Sequence, residues 1–184
     1  MANGKATAIG PGPAPVLRAA GPDDAAVLAR LGRESFAAAF AHLYPPSDLA
    51  AFEAEAYAPE VIAAEIAEPG IVHRLAESEG ALVGYCKLKL KSTYSVHSNA
   101  ERPIALQQLY TDPARTGEGI GARLMQWAID EARSRGADAI QLSVWSENSG
   151  AQRFYARYGF VKIADIDFWV GQTRDDEFLY ELRL

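Results

Sequence analysis

The sequence predicts a mixed-sheet α/β sandwich. A turn at residues 78–80 separates two apolar segments, which predicts an antiparallel hairpin. A strand, a long amphipathic helix and another strand follow over residues 104–144, the pattern of a parallel crossover unit. Two further apolar segments close the chain. The predicted element order is βααα-ββ-βαβαββ, with seven strands and no internal repeat.

The first part of the chain predicts one strand and three helices. The strand covers residues 15–20, and two aspartates then open a helix whose apolar stripe continues to Leu43. Two consecutive prolines end this helix, and Ser47 is a suitable N-cap for a second helix through residue 57. A proline at a first-turn position begins the third predicted helix, residues 59–68.

The remaining chain alternates strands and helices. Predicted strands cover residues 71–77, 81–90, 104–111, 139–144, 161–169 and 177–184, and predicted helices cover residues 117–135 and 151–158. Lys87, Lys89 and Lys91 alternate with leucines. This alternation is typical of an antiparallel strand with one buried face and one solvated face.

Length and composition limit the functional classes. A chain of 184 residues predicts one domain, residues 15–184, after a disordered tail, residues 1–14, that is rich in Gly, Pro and Ala. Cys86 is the single cysteine, which excludes an internal disulfide and fits a cytoplasmic location. The net charge of -6 argues against nucleic acid as a partner and mildly favours cationic small molecules. No segment is apolar enough to predict a membrane span.

The most informative segment is LQQLYTDPARTGEGIG, residues 106–121, where a strand enters a glycine-rich loop that opens a long helix. Glycines allow a close ligand approach, and a helix N-terminus presents unpaired N–H donors, so this loop predicts a pyrophosphate site. The Walker A pattern is absent. Gly117, Gly119 and Ala122 do fit a loose dinucleotide motif, which leaves an NAD(P)-dependent oxidoreductase as a third-ranked alternative.

A second cluster follows the next strand. Asn148 and Tyr155 are seven residues apart, which is two helical turns, so both face the same side if the helix begins near Asn148. The three histidines, His42, His73 and His97, lack any ligand spacing, and no metal site is predicted.

The strings PARTGEGIG and ENSGAQRFYARYGF together resemble the GNAT superfamily of N-acetyltransferases. The resemblance covers the chain from about Gly84 to its end, and the upstream element order agrees. The C-terminal DFWVGQTRDDEFLYEL resembles the branch that holds polyamine and other small-amine acetyltransferases. The implied fold is GNAT-like, a mostly antiparallel sheet of about seven strands with helices on both faces.

The resemblance implies a role for each motif residue. The backbone of Leu109, Tyr110 and Thr111 would hold the pantetheine arm of acetyl-CoA, the implied co-substrate. The pyrophosphate would lie in a loop made of Arg115, Thr116, Gly117, Glu118, Gly119, Ile120 and Gly121. Thr116 stands where the family usually has Gln or Arg, so a phosphate contact is lost or supplied by Arg115. Asn148 would hydrogen-bond the pantetheine, and Tyr155 would lie near the sulfur.

The implied reaction is acetyl transfer to a primary amine of a small molecule by direct attack. Tyr155 is the predicted acid, because a phenol near a departing thiolate can supply its proton. The family's frequent Glu is Ala105 here, which excludes a base at that position. Glu34, Asp48 and His97 are weak substrate-binding candidates, with a solvated surface as the alternative for each. An inactive acyl-CoA-binding module is the second functional hypothesis, and a homodimer is left open.

Overall fold

The computed structural model describes residues 14–184, so the predicted tail lies outside the described residues except for Ala14. The strands are β1 Val16–Ala19, β2 Ile71–Ser78, β3 Ala81–Lys89, β4 Pro103–Thr111, β5 Ala139–Trp145, β6 Val161–Val170 and β7 Thr173–Arg183. The helices are α1 Ala25–Phe40, α2 Pro46–Ala56, α3 Pro59–Ala67, α4 Ile120–Ser134 and α5 Ser149–Ala156. The predicted element order is confirmed.

The strands form one sheet in the order β1-β2-β3-β4-β5-β7-β6. Every neighbouring pair is antiparallel except β4 and β5, which are parallel. The mixed, mostly antiparallel seven-stranded sheet predicted from the sequence is therefore confirmed. Within residues 14–184, no helix combines the length and apolar character that a membrane crossing needs.

Helices cover both faces of the sheet. On one face, α4 buries Leu124, Met125 and Ala128 against residues of β3, β4 and β5. On the other face, α1 and α3 bury Leu28 and Ile62 against the middle of the sheet. A smaller aromatic cluster joins α1 and α2 to β6, and its members are Phe36, Tyr44, Tyr57 and Val170, with Phe40, Phe52 and Phe168 beside them.

Two of the predicted elements begin three or more residues away from the observed start. Helix α4 begins at Ile120 instead of residue 117, because Gly117 and Gly119 adopt positive φ angles of 91° and 79° and form a loop. Strand β7 begins at Thr173 instead of residue 177, because charged residues there continue the ladder with β6. The second correction places Asp175 on a strand.

Two side-chain predictions also fail. Ser47 does not cap α2, because that helix begins at Pro46 with Pro45 at the cap position. Lys87 does not face solvent, because α3 covers that face of β3. Its ammonium lies 2.9 Å from a carboxylate oxygen of Glu65 on α3, so the buried charge is paired.

Candidate active site

The parallel pair at the centre of the sheet separates into a cleft. Strands β4 and β5 pair only through residues 103–105 and 139–141. Strand β4 then continues to Thr111 and β5 to Trp145 without further pairing to each other. A register shift opposite Lys87 and Leu88 leaves Gln107 as an extra residue in β4. The β4 backbone groups that point toward β5 are therefore open to a ligand instead of a neighbouring strand.

The glycine loop follows β4 and leads into α4. A Cβ atom built on Gly117 or Gly119 would meet nothing within 4 Å, so the space above this backbone is open. Gly119 is the N-cap of α4 and adopts the left-handed conformation. The first N–H groups of a 15-residue helix thus stand at an open loop, which suits a phosphate oxygen by hydrogen bonding and by the helix dipole.

Two side chains of the loop are already engaged with protein groups. The Arg115 guanidinium hydrogen-bonds the Glu118 carboxylate over 2.9 Å and the Ser78 hydroxyl over 3.3 Å. The Thr116 hydroxyl donates to the carbonyl oxygen of Pro113 over 3.0 Å. Backbone N–H groups are therefore the main donors that this loop offers to an anion.

Helix α5 presents the second motif to the cleft. Asn148 is its N-cap, and the side-chain oxygen accepts a hydrogen bond from the Ala151 N–H over 3.0 Å. The cap uses the oxygen and leaves the amide NH₂ as a donor. Tyr155 follows two turns later and lines the same cavity, as the spacing predicted. Burial raises the pKa of Tyr155, so its phenol keeps its proton at neutral pH.

The cleft opens into a cavity of about 300 Å³. Aromatic rings supply much of the wall opposite the glycine loop, and these are Phe36, Phe40, Tyr44, Trp145 and Phe168. Asp175 and Glu177 of β7 add two carboxylates. The Tyr44 hydroxyl donates a hydrogen bond to Asp175. No lysine, arginine or histidine is among the described residues that line this cavity.

Burial raises the pKa of Glu177, and the neighbouring charge of Asp175 raises it further. The Ser143 hydroxyl acts in the opposite direction by favouring the charged carboxylate. Among residues 14–184, no cationic side chain forms a salt bridge with Glu177. Within the described residues, this partly buried carboxylate is therefore not neutralised by a cation.

A larger cavity of about 610 Å³ lies near the start of β4, with Ser92, Arg102 and Arg135 in its wall. None of the residues from the two sequence motifs lines it. Proximity to Tyr155, Asn148 and the open β4 backbone makes the smaller cavity the candidate active site.

A family model for acetyltransferases (GNAT) matches residues 33–160 of the chain. The chain belongs to this family. The predicted resemblance is thereby confirmed, and with it the enzyme class of an N-acetyltransferase with acetyl-CoA as co-substrate.

The relatives of this GNAT chain include proteins with and without a described substrate. It is 26% identical over 154 residues to an uncharacterised N-acetyltransferase in the pepI 3' region of Lactobacillus delbrueckii subsp. lactis, covering 84% of this chain and 88% of that protein. It is 35% identical over 98 residues to the aminoalkylphosphonate N-acetyltransferase of Salmonella typhimurium, covering 53% of this chain and 62% of that protein.

The fold is similar to a crystal structure of the PaiA N-acetyltransferase from Thermoplasma acidophilum in complex with coenzyme A. The TM-score is 0.76 at 23% identity, and the match covers 94% of this chain and 100% of that chain. The GNAT-like fold predicted from the two motifs is therefore confirmed.

The structure brings five of the twelve predicted cofactor residues of this GNAT chain together in one cavity wall. Leu109, Tyr110, Thr111, Asn148 and Tyr155 all line the cavity. The loop of residues 115–121 lies outside the cavity wall and is joined to it at Gly121. A Cβ atom there would lie 3.8 Å from side chains of Leu109, Thr111 and Phe154.

The three weak substrate candidates lie elsewhere. Glu34 is an exposed residue of α1, and His97 is exposed in a 3-10 turn before β4. Asp48 accepts a hydrogen bond from the Gln172 N–H over 3.1 Å, which ties α2 to the turn between β6 and β7. None of the three is among the described residues of the cavity wall.

Sequence reasoning missed Asp175 and Glu177. The signal was present, because two acids at i and i+2 in a strand share one face, but residues 173–176 were predicted as a loop.

Proposed function

We propose that this chain transfers the acetyl group of acetyl-CoA to the primary amine of a small cationic molecule, by direct attack within the cleft. One observation carries the proposal. The cavity contains Tyr155 and the open β4 backbone, and two carboxylates and several aromatic rings also line it. None of the described residues that line it is cationic. Such a wall attracts an ammonium group through charge and cation–π contacts.

The donor side of the cleft would position the thioester. The backbone groups of residues 109–111 that point toward β5 would hold the pantetheine arm. A donor aimed at the developing oxyanion contributes about 3 kcal/mol. The α4 N-terminus and its glycine loop would bind the pyrophosphate. Asn148 would add one amide donor, and the Tyr155 phenol would supply the proton that the leaving thiolate needs.

The cavity wall argues against an anionic acceptor. An aminoalkylphosphonate, the substrate named for the Salmonella relative, carries a phosphonate that needs a cationic or N–H partner. The lining residues supply carboxylates in place of such cations. We therefore expect a polyamine or similar cation, and not a phosphonate, to be the better acceptor. We also propose that residues 15–184 act as a single catalytic domain.

A panel of amines with acetyl-CoA tests the proposal. We would measure thiol release and the mass of the product for 1,4-diaminobutane, n-butylamine and 2-aminoethylphosphonate. The two amines without an anionic group should be acetylated with a larger kcat/KM than 2-aminoethylphosphonate, with one thiol released per acetylated amine. Fastest turnover of 2-aminoethylphosphonate, or no thiol release with any amine, would contradict the proposed acceptor class.

A thermal melt separates an inactive acyl-CoA binder from a protein that does not bind acetyl-CoA. At 100 times its dissociation constant, a ligand stabilises a folded protein by about 2.7 kcal/mol. For a domain of this size the melting temperature should rise by roughly 5–11 °C. Saturating acetyl-CoA should produce this rise, and NAD should not. A rise without turnover would indicate a binding module, whereas a rise with NAD alone would support the oxidoreductase alternative.

A further inference from the structure

Glu177 is a carboxylate of β7 in the wall of the cavity. On β7 it pairs with Trp145 of β5 and with Ile166 of β6. Asp175 is two residues away on the same face of the strand, a Cα separation of roughly 7 Å. Both carboxylates line the cavity that also contains Tyr155. The two carboxylates and Tyr155 therefore line one and the same cavity.

We propose that Glu177 is the general base that takes the proton from the acceptor ammonium, while Asp175 holds the acceptor in place. This inference rests on the proposed function, because it needs a cationic amine as the acceptor. It assigns the base that the resemblance could not supply, since the family's frequent glutamate position on β4 is Ala105 here.

Elimination supports this assignment. Besides the two carboxylates, the titratable side chains of the described cavity wall are Tyr44, Tyr110 and Tyr155. Burial raises the pKa of all three phenols, to about 12 for Tyr110, so they remain protonated and cannot accept a proton near neutral pH. This leaves Asp175 and Glu177 as the acceptors of a proton.

The two carboxylates differ in their partners. Asp175 accepts a hydrogen bond from the Tyr44 hydroxyl, which fixes its orientation. Glu177 is partly buried and faces the neutral Ser143 hydroxyl and the Trp145 ring across β5. Burial and the charge of Asp175 raise the pKa of Glu177, which makes its carboxylate a stronger base than that of an exposed glutamate.

Other charged groups around this position are few. Tyr94 and Tyr110 face Glu177 from the loop before β4 and from β4. Burial raises the pKa of both phenols, and the charge of Glu177 raises it further. His42 packs against Trp145 with ring centroids 6.1 Å apart, so a histidine stands at the rim. Arg174 points to the other face of the strand, where it pairs with Asp167 and Asp176.

The proposed step balances in protons and electrons. The Glu177 carboxylate takes one proton from the R–NH₃⁺ group, and the freed nitrogen lone pair forms the N–C bond to the thioester carbonyl carbon. The C–S bond then breaks with its electron pair on sulfur, and Tyr155 gives the thiolate a proton. The phenolate regains a proton from the acetylated nitrogen, and Glu177 releases its proton to solvent. The products are the amide, free coenzyme A and one proton.

The pH dependence of kcat/KM with 1,4-diaminobutane as the acceptor tests this assignment. Below the pKa of Glu177 the base is protonated, so kcat/KM of the parent enzyme should rise with pH and level off above that pKa. Glu177→Gln should lower kcat/KM at pH 7 by about 100-fold or more. The kcat/KM of this variant should keep rising about tenfold per pH unit until the pH reaches the pKa of the free amine, near 10. Without the base, only an amine that is already neutral in solution can react.

Two further variants separate a base from a general charge effect. Asp175→Asn should keep the levelled pH profile but move its acidic limb to lower pH, because removing a like charge lowers the pKa of Glu177. Glu147→Gln removes an exposed carboxylate just after β5 and should leave the profile unchanged. Calorimetry should give each variant the parent affinity for acetyl-CoA within a few-fold.

A Glu177→Gln enzyme with the parent profile overturns the base assignment and leaves the proposed function intact. The base assignment is also overturned if Glu147→Gln changes the pH dependence of kcat/KM as much as Glu177→Gln does, because the effect is then one of net charge. A parent enzyme that acetylates none of the amines overturns the proposed function and this inference together.

Discussion

The two walls of the cleft are built in different ways. The donor wall comes from short stretches of sequence, residues 106–121 and 148–155, and it offers mainly backbone groups and a helix N-terminus. The acceptor wall comes from α1, β5, β6, β7 and the turn at Tyr44, and it offers side chains alone. One of its two carboxylates, Asp175, accepts a hydrogen bond from Tyr44, which is 131 residues away in sequence.

This difference explains why the acetyl-CoA site could be recognised from the sequence and the acceptor site could not. A backbone site depends on glycines, strand ends and helix starts, and these leave local signals in sequence. A side-chain site assembled by tertiary packing leaves a weaker signal, because each aromatic residue is also an ordinary core residue and a pair of acids points to one face only once its strand is known. The donor wall therefore identifies the acetyl-CoA chemistry, and the acceptor wall had to be seen in three dimensions.

The largest effect in the donor wall should come from Tyr155→Phe. This change keeps the ring, which packs 5.8 Å from Phe160, and removes only the phenol proton. We expect the maximal rate to fall by about 100-fold or more, because the thiolate loses its acid. Acetyl-CoA affinity should stay within a few-fold, since the proton acts mainly in the transition state.

Tyr158→Phe is the matched control, because Tyr158 contacts the same Phe154 ring and lies outside the described cavity wall. It should keep the parent rate. A Tyr155→Phe enzyme that turns over as fast as this control would leave the thiolate to be protonated by water.

A smaller but clear effect is expected from Gly119→Val. The side chain would enter the open space above the loop and would also oppose the φ angle of 79°. We expect acetyl-CoA binding, measured by calorimetry, to weaken by at least about tenfold, because the valine side chain would occupy the space that the phosphate groups need.

Gly80→Val separates these two causes. Gly80 has a φ angle of 78° and the same open surroundings, but it lies in the turn between β2 and β3. Both variants should lose similar melting temperature, and only Gly119→Val should lose acetyl-CoA affinity. Equal affinities in the two variants would remove the glycine loop from the site.

The smallest effect should come from Tyr44→Phe in the acceptor wall. The change removes the hydrogen bond that orients Asp175 and keeps the ring beside Phe36. With 1,4-diaminobutane as the acceptor, we expect the Michaelis constant for the diamine to rise roughly two- to fivefold. A change of this size corresponds to the free energy of one modest hydrogen bond. The Michaelis constant for acetyl-CoA should stay unchanged. Tyr180→Phe, on β7 outside the described cavity wall, is the control. A rise in the Michaelis constant for acetyl-CoA instead would mean that Tyr44 belongs to the donor side.

The elements of the fold were predictable because apolar periodicity and proline or glycine breaks mark them. The errors lie where tertiary structure overrides pattern. Lys87 belongs to a face that its sequence pattern marks as solvated, but α3 supplies Glu65 and covers it. Thr173–Asp176 is too polar to predict a strand, yet β6 pairs with it residue by residue. Of the site, helical spacing predicted that Asn148 and Tyr155 face the same side and the family resemblance implied their roles, whereas Asp175 and Glu177 needed the sheet.

Calorimetric titration of acetyl-CoA into the Asp175→Asn, Glu177→Gln double variant tests the division between the two walls most directly. If the walls are separate, removing both acceptor carboxylates should leave the acetyl-CoA dissociation constant within about threefold of the parent value, because the donor contacts come from backbone, Asn148 and Tyr155. A dissociation constant weakened tenfold or more, as expected for Gly119→Val, would show that the carboxylate wall helps to hold the donor and would contradict the account.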